Sequence, residues 1–124
     1  MNFLKVRVSN SAANTLVVES ADFPSNPISV ERVNDFEIAY GSELTLGLRP
    51  EHSEVCDFGH SISTLLIEVV ENLGDMTHLH GTTRAGNRLT ISINGFQSYR
   101  HADSVGFRFD TRNVHLFAGD GQAV

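Results

Sequence analysis

An all-β fold assembled from small barrels or sandwiches is what this sequence predicts, and three observations carry that expectation. Apolar and polar residues alternate with a period of two over most of the chain. Turn-forming residues interrupt the alternation at spacings of roughly ten residues. No window sustains the 3.6-residue apolar period of a helix beyond a turn or two.

Each element has its own reason. Leu4, Val6 and Val8 alternate with Lys5 and Arg7, which places one strand face in a core and the other in water. Residues 15–19 and 28–33 are the next strand candidates. Leu44, Leu46 and Leu48 then alternate with Thr45, Gly47 and Arg49. Residues 65–71 and 77–82 follow, and Leu89, Ile91 and Ile93 alternate with Thr90, Ser92 and Asn94. Val105, Phe107 and Phe109 bracket Gly106 and Arg108, and residues 114–117 close the series. Reversals are expected at 9–14, 24–27, 84–87 and Asn94-Gly95, which carry Gly, Pro, Asn and Ser. Arg84-Ala85-Gly86-Asn87 between two strand runs reads as a hairpin. The best helical stretch is 96–103. Residues 50–63 are polar, begin with a proline and contain Gly59, so they read as a connector between a first β subdomain, 1–49, and a second, 64–124. The tail 118–124 holds two glycines and is expected to fray.

Composition excludes several classes of function. A chain of 124 residues is one ordinary domain, or two small subdomains sharing a core. Its net charge of −6 comes from 15 acidic against 9 basic residues, and Lys5 is the one lysine. A phosphate-backbone binder needs a basic stripe to release counterions, so nucleic acid is disfavoured as a partner. Anionic lipid surfaces are disfavoured for the same reason. Apolar runs such as Leu65-Leu66-Ile67 are far too short to span a bilayer, so no direct membrane insertion is expected. The start lacks the basic-then-apolar pattern of a secretory signal. The single cysteine, Cys56, cannot form an internal disulfide, in keeping with a reducing cytoplasm.

The candidate sites are modest. Arg49-Pro50-Glu51-His52 ends an apolar strand with three polar groups: proline stops the ladder, and Arg49 can fork onto a carboxylate, with Glu51 near at hand. Glu68 and Glu71 are three apart on an extended segment and so face opposite ways, which argues against an acid–base dyad. Gly74 supplies a bend or bulge before the next strand. His78-x-His80 places two imidazoles on one strand face, about 7 Å apart by strand rise. With His60 or Cys56 they could bind zinc, but no Cys-x-x-Cys or His-Glu-x-x-His accompanies them, so surface histidines on a paired strand are expected and no metal site is assigned. Cys56, Asp57 and His60 contain the residue types of a thiol nucleophile and base, yet no oxyanion-binding signature adjoins them; an inert thiol is expected. Phe107, Phe109, Leu116 and Phe117 fill a barrel, while Arg112 and His115 alternate with them and could face a partner. A Gly-x-x-x-x-Gly-Lys-Ser/Thr loop is absent, so no nucleotide-binding residue is assigned.

Three ordered blocks extend this reading. Leu46-Gly47-Leu48-Arg49-Pro50-Glu51-His52, Val69-Val70-Glu71-Asn72-Leu73-Gly74 and Phe109-Asp110-Thr111-Arg112-Asn113-Val114-His115-Leu116-Phe117 together resemble the C-terminal regulatory domain of ATP-binding-cassette sugar-importer ATPases of the maltose-importer type. Met1-Asn2-Phe3-Leu4 resembles the segment where that family's ATPase domain hands over to the regulatory domain, which implies an ATPase upstream of Met1. The resemblance implies a pair of intertwined OB-type barrels, the second known as a TOBE domain. It implies a non-catalytic regulatory and dimerisation role, with interface residues Arg49, Glu51, His52, Glu71, Gly74, Arg112 and His115. It also implies membrane permease subunits as partners, a place on the cytoplasmic face of the inner membrane, and ATP and Mg bound only by the upstream domain.

The sequence departs from the family at Arg100-His101-Ala102-Asp103, where members often carry proline-glycine, and at the small polar run Gly81-Thr82-Thr83. Three other functions compete with the regulatory one. Related TOBE-type domains bind oxyanions, which Arg49 with His52 or turn amides could hold. A barrel that stacks single-stranded nucleic acid on aromatics would need a basic groove, and tryptophan is absent. An enzyme in its own right is the least supported class.

Overall fold

The computed structural model describes residues 1–12, 14–24, 26–33 and 37–124, and the turns expected at 9–14 and 24–27 each include a residue outside that set. Its ten strands are β1 (Asn2–Ser11), β2 (Thr15–Glu19), β3 (Ile28–Glu31), β4 (Glu43–Leu48), β5 (Ser53–Cys56), β6 (Ser63–Asn72), β7 (Met76–Thr83), β8 (Arg88–Asn94), β9 (Ser104–Phe109) and β10 (His115–Phe117). Short 3-10 turns at Pro50–His52, Phe58–His60 and Thr111–Asn113 are the helical elements among the described residues. None is long and apolar enough to cross a membrane.

The strands form two five-stranded antiparallel sheets, β10-β4-β1-β2-β3 and β5-β9-β6-β7-β8. In the second sheet β8 comes back against β5 and the Pro50–His52 turn without pairing to them, so the sheet curls almost shut. The inward faces are those the alternation marks: Leu4, Val6 and Val8 in β1, Leu44, Leu46 and Leu48 in β4, and Phe107 and Phe109 in β9 are all buried. Together with Leu65, Ile67, Leu79, Leu89 and Ile91 they make one core that both sheets share. The all-β fold of two OB-like half-barrels expected from the sequence is therefore the fold observed.

Sheet membership does not follow chain order. The stretch read as a connector contains β5, which pairs with β9 along Ser53–Cys56. The last strand, β10, pairs with β4 and so returns to the first sheet. A pairing partner distant in sequence leaves no trace in local periodicity, so neither pairing is readable from chain order. The stretch at 96–103 is not helical; it is irregular residues leading into a turn. The tail does not fray either: Val124 is buried in the core, its N–H donates to Leu116 O at 3.0 Å, and its carbonyl accepts from Val33 N at 3.0 Å. A reversal at Gly121, φ +87°, brings it back.

Two sets of buried polar contacts fasten one sheet to the other. Asn2, at the start of β1, donates from Nδ2 to Thr90 O at 2.8 Å and accepts from Thr90 N at 2.9 Å, completing the backbone pairing of a β8 residue from across the core. Asp22, buried after β2, accepts from Ala85 N at 2.7 Å and from Asn87 Nδ2 at 2.8 Å in the β7–β8 hairpin.

Two backbone positions have particular demands. Gly81 lies beneath an irregularity in β6, where the register slips between Ile67 and Val69; a Cβ there would stand 2.0 Å from Leu66 O. No side chain fits, which explains the glycine in the small polar run. At the departure from the family pattern, Ala102 takes φ +71°, the left-handed region that glycine tolerates better. Its N–H donates to Ile67 O at 2.7 Å, and Asp103 Oδ2 accepts from Arg100 N at 2.8 Å, so hydrogen bonds hold the turn where a proline-glycine pair would preset it.

Two stability changes follow. Asn2→Ala strips both partners from Thr90 and should lower the unfolding free energy by about 2 kcal/mol. Ala102→Gly removes left-handed strain and should raise it by about 0.5–1 kcal/mol. Urea denaturation followed by circular dichroism measures both.

Candidate functional site

The first and third blocks come together through β4, β10 and the turns that leave β4 and β9. Gly47 of β4 pairs with His115 of β10. A Cβ on Gly47 would meet Met1 Sδ at 2.6 Å and the Phe117 ring at 2.9 Å, so a larger residue there would displace the side chains that lie across the strand. The exposed outer face here is aromatic: Phe3 sits edge-on to Phe117 with centroids 6.4 Å apart, and the His115 ring lies 6.5 Å from Phe117. Phe3 remains 56% exposed.

Beyond β4, Arg49 stays extended and Pro50 opens the 3-10 turn, with His52 N donating to Arg49 O at 3.0 Å. Arg49 forms no ion pair with Glu51 among the described residues, because the turn carries both side chains into solvent. His52 is half-buried, and its Nδ1 meets no hydrogen-bond partner among the described residues.

An open groove of about 440 Å³ lies beside this turn, lined by Glu51, His52, Glu54, Arg108, Asp110 and Asn113 among others. Arg108 grips Glu54 through Nε and Nη2 at 3.2 and 3.3 Å. Asp110 caps the Thr111–Asn113 turn by accepting from Arg112 N at 2.9 Å, and Arg112 Nη2 donates to its other oxygen at 2.6 Å. Those bonds from Arg112 lower the Asp110 carboxyl to about 2. Both arginines are thus committed to carboxylates of their own chain, and the groove keeps an acidic lining. On the same strand pair, burial pushes the Cys56 thiol up, with Asp57 and Glu54 adding to the shift against an opposing pull from Arg108. A raised pKa disfavours the nucleophilic thiolate. His60 turns to Asp57 at 2.6 Å.

The second block stands apart from the other two and joins different residues. Gly74, φ +92°, turns the β6–β7 hairpin, in which Leu73 N donates to Met76 O at 2.8 Å. The hairpin sets Glu71 directly opposite His78. Glu71 Oε1 lies 3.5 Å from His78 Nδ1 and 3.2 Å from His80 Nε2. The other nitrogen of His80, Nδ1, meets Thr90 Oγ1 at 3.0 Å. The sequence pairs the two histidines with His60 or Cys56; the structure gives them Glu71 instead. Counting outward from the Gly74 turn would have found this pairing, since antiparallel register sets Glu71 against His78. The backbone carbonyl of Glu68 contacts His101 Nδ1 at 2.8 Å.

Two OB-like half-barrels over a shared core define an all-β domain of the OB-like class. Residues 27–117 match the model of the TOBE domain family, and this chain belongs to that family. It is 28% identical over 124 residues to the maltose/maltodextrin import ATP-binding protein MalK of Escherichia coli K12, and 30% identical over 129 residues to the MalK of Mannheimia succiniciproducens. Each comparison takes in 99% of this chain and 33% of the relative, so the chain spans about a third of their length. Among solved structures, the cytoplasmic molybdate-binding protein ModG with molybdate bound shares the fold, at a TM-score of 0.70 and 13% identity over 94% of this chain and 95% of that one. The family resemblance carried by the three sequence blocks therefore holds.

The Asp110 cap has a pH signature. Its folded pKa lies below the unfolded value of about 3.9, so its contribution is complete above that value and is lost as pH falls toward about 2. The pair is exposed, so the effect is small and salt-sensitive. In urea titrations, the gap between wild type and Asp110→Asn should be widest near neutral pH and close through that acid window.

Proposed function

We propose that this chain is the regulatory and dimerisation domain of the ATP-hydrolysing subunit of an ATP-binding-cassette importer whose cargo is a carbohydrate. The observation that carries the reading is the match to the TOBE family together with the likeness, over nearly the whole chain, to maltose-importer ATP-binding proteins. ATP and Mg would be bound by an upstream domain, and permease subunits would hold the assembly at the cytoplasmic face of the inner membrane. The domain itself would do mechanical work: two copies would keep the ATPase pair associated while the nucleotide sites open and close. The aromatic outer face of β10, β4 and β1, with Phe3, His115 and Phe117, suits a self-complementary two-fold contact, because such an interface buries the same apolar patch from each copy. Arg49, Glu51 and His52, at the exit of β4, and Arg112 would form its polar rim, whereas Glu71 and Gly74 lie on the other sheet.

The second reading is an oxyanion-sensing domain, favoured by the fold shared with the molybdate-binding protein ModG. The acidic lining of the groove beside His52 weighs against it, because an oxyanion there would meet Glu51, Glu54 and Asp110.

An immunoblot of the source cells with an antibody to this chain should show a band far larger than 13.6 kDa that fractionates with membranes. A soluble band at 13.6 kDa would overturn the importer reading. Calorimetric titration with molybdate, sulfate and phosphate then decides the alternative, which fails if none gives heat.

A further inference from the structure

The Glu71, His78 and His80 cluster is not needed for the proposed regulatory role, and it has the make-up of a ligand set. The three ligand atoms lie within 4.8 Å of one another. Metal–ligand bonds of about 2.0–2.1 Å put adjacent tetrahedral ligands about 3.3–3.4 Å apart. The two contacts from Glu71 Oε1, 3.5 Å to His78 Nδ1 and 3.2 Å to His80 Nε2, straddle that spacing. The two histidine rings, 6.0 Å apart between centroids and nearly perpendicular, aim different nitrogens at the same carboxylate oxygen.

We propose that Glu71, His78 and His80 form a site for a late first-row divalent cation such as zinc or nickel, with its remaining coordination position open to solvent. Two imidazoles and one carboxylate favour such ions over magnesium or calcium, which require oxygen donors throughout. The carboxylate supplies negative charge in a place where it cancels part of the ion's own. Thr90 completes the arrangement: its Oγ1, 3.0 Å from His80 Nδ1, fixes the ring so that Nε2 faces Glu71. Two strands and a tight hairpin supply all three ligands in fixed register, so little ordering is left for binding to impose. The side chains are between 28% and 49% exposed, so an ion can enter from solvent without the fold opening. Nothing in this inference depends on the importer reading.

Isothermal titration of the 124-residue chain with zinc chloride, and separately with nickel chloride, in chelator-free buffer should show one ion bound per chain, with magnesium chloride giving no heat. His78→Ala and His80→Ala should each weaken zinc by at least about tenfold, and Thr90→Val, which leaves all three ligands in place, also by about tenfold. His60→Ala, which removes the separate His60–Asp57 pair, should leave binding unchanged. Copper(II) bound to the wild-type chain should show hyperfine coupling from two nitrogens in electron paramagnetic resonance, a readout that needs no variant to fold. Absence of zinc and nickel binding, binding that survives His78→Ala and His80→Ala, or a copper spectrum without two nitrogens would each overturn the site.

Discussion

The bond pair between Asn2 and Thr90 is the constraint on which the rest of the molecule depends. Two curled sheets over one core would be held by apolar contact alone, which is strong but not directional. The Asn2 amide meets both the N–H and the carbonyl of Thr90, so it ties the start of β1 to one position on β8. Asp22 does the same a short distance along, gripping the β7–β8 hairpin through Ala85 and Asn87. A polar group buried without a partner is costly, so these contacts tolerate no sliding between the sheets. Packing then follows, with Phe23 edge-on to Phe109, 6.4 Å between centroids, where the segment after β2 meets β9 of the second sheet.

Thr90 also carries the fixed geometry outward. Its backbone N–H and carbonyl meet Asn2, while its hydroxyl meets His80. The orientation of that imidazole is thus tied to the joint between the sheets. The Glu71 hairpin meets the same histidine from the other side. A surface cluster of this kind is ordinarily loose; here each ring is braced by a paired strand, and one of them by a side-chain bond as well.

The charge pattern has a similar local logic. Arg108 and Arg112 each take a carboxylate from a near neighbour in space, Glu54 and Asp110, and so do not gather into a basic field. Lys5 is likewise matched with Glu43. What the surface shows to a partner is therefore acidic overall, with an aromatic stripe from Phe3 to Phe117.

Local periodicity made most of the strands legible. Alternation in β1, β4, β8 and β9 is a direct imprint of one face in the core, and Gly86 in the β7–β8 turn, φ +88°, has the chemistry its hairpin needs. The family blocks identified the kind of domain, because they record positions such as Gly47 and Asp110, where side-chain crowding or capping restricts the choice of residue. Other features had no local signal. β5 is four residues without alternation and exists because β9 offers it an edge. The glycine-containing tail is ordered because Val124 finds a place in the core. Arg49 and Glu51, neighbours in sequence, are separated by a turn, whereas Glu71 and His80, nine residues apart, are brought to 3.2 Å by a hairpin. By itself the sequence determined which residues of the alternating strands face inward and where the 84–87 hairpin reverses, because those depend on side-chain polarity and backbone freedom one residue at a time. Only the tertiary structure decided which strands share a sheet and which polar groups meet, because those depend on the closure of two sheets over one core.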